Sequence, residues 1–76
     1  MVPWIEKQMA RTADRYVQEV KEGPFEESLK AVKTRGILVG LCKAYREIME
    51  LDGEFAETLA EEEINKARER RDNVSD

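Results

Sequence analysis

Between Arg35 and Ala44 the chain reads RGILVGLCKA, so Gly36, Gly40 and Ala44 fall four residues apart in a stretch whose apolar spacing is helical throughout. Glycine costs a helix about 1 kcal/mol relative to alanine. Two glycines at this spacing therefore call for a compensating gain. Residues four apart share one side of a helix. Small side chains there form a flat strip on which another backbone can settle, either helix 1 of the same chain or a second copy.

The residues flanking the strip set the architecture. The first half of this helix carries Phe25, Leu29, Val32, Gly36 and Val39 on one line. The second half carries two adjacent lines: Ile37, Leu41, Ala44, Ile48 and Leu51, and beside them Leu38, Cys42, Tyr45 and Met49. A face that broad exceeds what one neighbouring helix covers. Helix 1, expected over 3–22, offers Ile5, Met9, Tyr16 and Val20, widened by Ala13 and Val17, with Lys7, Arg11 and Arg15 on the far side. Pro3 suits its first turn, where a missing N–H costs nothing. Gly23 followed by Pro24 ends one helix and opens the next, and Glu26 and Glu27 favour the start of helix 2. Trp4 and Phe25 are expected as core or interface anchors: Trp4 in the core beside Tyr45 and Met49 or, if exposed, marking a partner site.

The expectation is an all-α fold: an antiparallel helical hairpin over about 3–22 and 25–51, plus a polar third helix over about 54–71. Asp52-Gly53 leaves two readings open. Asp52 is a plausible N-cap for a separate helix, yet the line from Leu51 through Phe55 to Leu59 continues as though helix 2 did not stop. Helix 3 is weakly apolar beyond Leu59, where Ala60, Ile64 and Ala67 are all it offers, so it reads as largely solvated. Residues 1–71 form one small domain and 72–76 a frayed tail.

Size and composition narrow the function. A chain of 76 residues holds a core worth only roughly 3–5 kcal/mol, and such chains lean on disulfides, metals or oligomerisation. Cys42 is the only cysteine and histidine is absent. That excludes an internal disulfide and leaves no tetrahedral zinc set. Self-association remains. The longest apolar run, 36–42, is far short of the about 20 residues a bilayer span needs, and no secretion signal precedes it. A lone cysteine suits a reducing compartment, so the expected location is cytoplasmic, with no membrane partner.

Sites of chemistry are scarce. Without histidine, acid–base work would fall to carboxylates in exposed runs such as Glu61-Glu62-Glu63. The pairs Glu57/Glu61 and Glu47/Glu50 lack the histidine that helical di-metal sites add. Asp52-Gly53-Glu54 fails as a calcium loop, because Ile48 and Leu59 then stand where ligand carboxylates are required. Cys42 lies on an apolar line and reads as a packing residue. No enzyme activity and no cofactor are expected. The chain's net charge is −4, and residues 52–76 alone contribute −5, with nine acidic and four basic groups. A helix-turn-helix centred on Gly53 would turn five glutamates toward phosphates. Nucleic-acid contact, as the alternative function, is left to Arg68, Arg70 and Arg71.

The run Arg35-Gly36-x-x-x-Gly40-Leu41 in a short, acidic, helical chain resembles segments of small accessory proteins of tailed bacteriophages. The resemblance implies a structural or host-interaction role in host cytoplasm or virion, and carries over no site residues. The expected function is thus protein–protein interaction by a homo-oligomeric structural or adaptor protein. Its oligomer interface is Gly36, Ile37, Gly40, Leu41, Ala44, Ile48 and Leu51, and its other partner is a protein.

Overall fold

The computed structural model describes residues 2–22 and 29–74. Three α-helices account for most of them: α1 Val2–Glu22, α2 Leu29–Ile48 and α3 Ala56–Val74, with a 3-10 turn at Gly53–Phe55 leading into α3. The expected starts at Phe25 and the Gly23-Pro24 punctuation lie outside the described residues, as do residues 75–76 of the expected tail. Helix α3 runs to Val74, into the first residues of the expected tail.

The stripe on α1 buries as the spacing requires: Ile5, Met9, Ala13, Tyr16 and Val17 are in the core and Val20 is packed against it. Helix α2 meets it with Ala31, Leu38 and Cys42, along with the polar Thr34. Helix α3 packs against both other helices, and its inward line of Ala56, Ala60, Ile64 and Ala67 is almost fully buried. This corrects the reading of a largely solvated third helix. Alanines add little to a hydropathy tally, but they let a helix approach closely, and the single large side chain Ile64 then fills the centre. Most polar residues of α3 fall on its outer side, while Glu63 and Arg71 are half-buried against the other helices. The result is the expected all-α fold, a hairpin of α1 and α2 with a third helix, in which α3 shares the core with both.

Helix 2 and helix 3 are separate. Helix α2 stops at Ile48, three residues before the expected Leu51, and the chain turns at Glu50 with φ of 59°. The Leu51 N–H donates to the Arg46 carbonyl at 2.7 Å and the Glu50 N–H to the Glu47 carbonyl at 3.1 Å. That pair of bonds is a Schellman closure, which normally uses glycine at the left-handed position. Gly53, which the sequence singles out as the breaker, has no positive φ. Asp52 does cap the next element, accepting a hydrogen bond from the Glu54 N–H at 2.9 Å. Arg46 fastens the connection by donating from Nε to the Asp52 carbonyl and by lying 5.4 Å from the centre of the Phe55 ring.

A buried polar bridge sets the height of α1 against α2. Thr34 Oγ1 lies 2.7 and 3.0 Å from the two carboxylate oxygens of Glu19, both residues being buried. Arg15, one turn earlier on α1, donates from Nε to the same carboxylate at 3.0 Å. No buried side-chain nitrogen or oxygen among the described residues lacks a partner.

Candidate assembly surface

The core line of α2 and the glycine strip occupy opposite sides of one helix. At about 100° per residue, Ala31, Leu38 and Cys42 lie within about 20° of the point facing away from Gly40. They are completely buried. The side centred on Gly40 is bare: Gly36 and Gly40 are exposed, and a Cβ added at either would meet no heavy atom within 4 Å. Of the two readings of the strip, the close seat for helix 1 is thereby removed. Helix α1 approaches α2 on the other side.

The apolar residues around the strip are uncovered with it. Leu29 is 72% exposed, Ile37 54%, Val32 49% and Ile48 40%, and just past the helix Leu51 and Phe55 are half exposed. Of the expected interface residues, Gly36, Ile37, Gly40, Ile48 and Leu51 share this exposed surface. Ala44 is half-buried at its edge, and Leu41 leans onto the core. Leu29 and Val32 continue the surface toward the start of α2. The sequence placed them on the strip's line without counting them in the interface. Isolated exposed hydrophobics are ordinary, but a row along one helix is the kind of patch that marks interaction.

Lys33 and Glu47 stand at the two ends of this surface. Both are exposed, and neither has an ion pair or side-chain hydrogen bond among the described residues. Elsewhere the long-range charges are used within the chain. Arg35 reaches Glu61 on α3 at 2.8 Å, and Arg70 reaches Asp14 on α1 at 2.8 Å.

The remaining candidates divide. Trp4, expected in the core, is 60% exposed. It sits about 100° around α1 from Ile5, on a side that neither α2 nor α3 covers. Phe25 lies outside the described residues. Cys42 is fully buried, and that burial, with a smaller contribution from Glu63, pushes its thiol up to about 11. Arg68 is exposed and contacts Asn65 only at 3.5 Å. Arg70 is held by Asp14, and Arg71 is half-buried beside the same aspartate in a shallow depression with Val17, Gln18 and Ala67. The three arginines thus do not act as one free basic cluster. Among the described residues no three carboxylate or cysteine side chains group as a metal site, and no helix is long and apolar enough to cross a membrane.

The one buried polar site that the sequence reading missed is Glu19–Thr34. Its signal was present: Glu19 is three residues after Tyr16 on the inner side of α1, and Thr34 lies midway between Ala31 and Leu38. In an antiparallel hairpin turning near residue 26, these two positions meet. No family model, curated protein or solved structure matches this sequence.

Proposed function

We propose that this chain is a non-enzymatic helical assembly protein that associates with itself through the outer face of α2. In this reading it serves as a structural or adaptor component for another protein. One observation carries it: α1 and α3 both pack on α2, yet the side bearing Leu29, Val32, Gly36, Ile37, Gly40 and Ile48 stays uncovered. Among the described residues α3 packs on the other side of the helix, and only the short turn at Gly53–Phe55 reaches α2 beside Lys43 and Glu47. Burying apolar area is worth about 25 cal/mol per Å², and two copies share the same need.

With α2 engaged, the outer side of α3 is the surface left for a further protein, and it is rich in exposed glutamates (Glu57, Glu61, Glu62). The likeness of the glycine segment to phage accessory proteins supports a role in a virion or in the host cytoplasm. Nucleic-acid binding through Arg68, Arg70 and Arg71 is the weaker alternative, because Asp14 offsets Arg70 and α3 carries the glutamates as well.

Sedimentation equilibrium tests the reading. A concentration-dependent rise in mass from monomer toward an integral multiple is expected in the micromolar range. A folded monomer that persists to about 300 µM, equivalent to an association free energy weaker than about −5 kcal/mol, overturns it.

A further inference from the structure

We infer that two copies of this chain pair their α2 helices antiparallel about a two-fold axis beside Gly40, bringing Lys33 of each copy to Glu47 of the other. The inference rests on the self-association proposed above and adds its geometry. It follows from a symmetry in the exposed face. A two-fold axis across α2 at Gly40 sets residues equally distant from Gly40 at one height on the two helices. Four residues either way are Gly36 and Ala44, so small stands beside small, and the backbones can close. Seven residues either way are Lys33 and Glu47. Seven residues are nearly two full turns, so both return to the side of Gly40, within about 20° of it.

Both charges are exposed and have no ion pair or side-chain hydrogen bond among the described residues. The two-fold arrangement satisfies them twice over, once at each end of the contact. Between these ends Ile37 lies over Ala44 of the partner subunit, on the same flank and nearly the same height. Beyond them, Leu29 faces the Leu51 end of the other copy, and both are at least half exposed in the single chain. The surface is complementary to itself, and this points to a second copy of the chain in place of an unrelated protein.

Neighbouring registers lack this match. An axis at Leu38 would set Lys33 against Lys43 of the partner subunit, and an axis at Cys42 would set it against Leu51. A parallel pair would bring Lys33 to Lys33 and Glu47 to Glu47. Charge pairing of this kind sets register and orientation more than raw affinity. Because α1 and α3 lie on the opposite side of α2, the exposed glutamates of α3 face away from the partner, and only Asp52 and Glu54, in the turn beside Glu47, stay near the contact. That limits the repulsion between two chains of net charge −4.

Charge reversal tests the geometry in the full chain. Sedimentation at low salt should show Lys33→Glu and Glu47→Lys each weakening the dimer about tenfold, since an attraction becomes a repulsion at both ends. The double variant K33E/E47K should return to within about threefold of the parent, because the pair is restored with its polarity swapped. Residues 33 and 47 are too far apart on one helix to interact within a chain, so recovery has no intrachain explanation. Single variants that leave the dimer unchanged, or a double variant weaker than either single, overturn the register. An independent arm mixes Lys33→Cys with Glu47→Cys chains under mild oxidation. Disulfide between the two chain types is expected, whereas Lys33→Cys chains linking to themselves overturn the antiparallel arrangement. A parent chain that stays monomeric throughout would instead remove the self-association beneath it.

Discussion

Replacing Gly36 and Gly40 together by alanine should stabilise the fold and weaken the assembly, and the opposite signs make the test sharp. Within one chain nothing stands against a methyl group at either position. No heavy atom lies within 4 Å of the added Cβ, and neither glycine has positive φ. Each substitution recovers about 1 kcal/mol of helix propensity, partly by narrowing the unfolded ensemble. The two terms add because they act on the same helix without touching. At about 4–8 °C per kcal/mol for a domain of this size, the pair should raise the melting temperature by about 8–16 °C.

In the proposed assembly, the same methyl groups would enter the closest approach of two backbones. Forcing extra carbon into such a contact costs about 1–3 kcal/mol, equivalent to a dissociation constant about tenfold to a hundredfold weaker. Circular dichroism melts on dilute samples read the first effect, and sedimentation on concentrated samples reads the second. The concentrations must be kept distinct, since association itself raises the apparent melting temperature. A lower melting point in dilute solution would mean that the chain needs its glycines internally. A higher melting point with unchanged association would mean that nothing approaches the strip closely.

Glu50→Gly should raise stability by about 0.5–1 kcal/mol in denaturant titration, because a left-handed residue with a Cβ is strained and the Schellman closure then keeps its bonds with the residue it favours. Thr34→Val should cost about 1–3 kcal/mol in the same assay, as it strips the buried Glu19 carboxylate of its bond from α2. Cys42 should resist thiol reagents at pH 8 until the chain unfolds, which Ellman titration with and without denaturant would measure. Its thiol sits at about 11 when folded against an ordinary 9. The folded state therefore holds this contribution in full below pH 9 and loses it as pH rises through 11, a decline that melts across that range would follow.

The inner sides of the helices were legible because periodicity reports burial directly. Ile5, Met9, Ala13, Tyr16 and Val17 on α1, and Leu38 and Cys42 on α2, lie where their spacing puts them. The turn after α2 was misplaced because left-handed backbone is ordinarily a glycine property, and here a glutamate adopts it three residues ahead of Gly53. Trp4 was misread because size and hydropathy say nothing of which side a residue takes, and one position away from Ile5 is a quarter turn or more. The contribution of α3 was underrated for the converse reason. Three alanines look weak in a tally of apolar side chains, but they bring α3 close enough for Ile64 to be 1% exposed. The outer face of α2 was legible as an excess; that it stays outside was not, since either helix could have covered it.

The distribution of large side chains argues for an energetic link between the folded chain and the proposed assembly. The core is built from Ile5, Met9, Tyr16, Val17, Leu38 and Ile64 with a set of alanines, while Leu29, Val32, Ile37, Ile48, Met49, Leu51 and Phe55 remain outside along α2 and the turn that follows it. Small domains have little margin, and here seven large apolar side chains stay at least 40% exposed instead of supplying it. The two glycines add a helix-propensity cost of about 2 kcal/mol to the same element. A chain selected only to fold alone would gain by placing alanine at 36 and 40 and polar residues at 29, 37 and 48. In the proposed dimer, contact with a second copy would offset both penalties together, because it would cover the exposed apolar side chains and make the missing ones a condition of close approach.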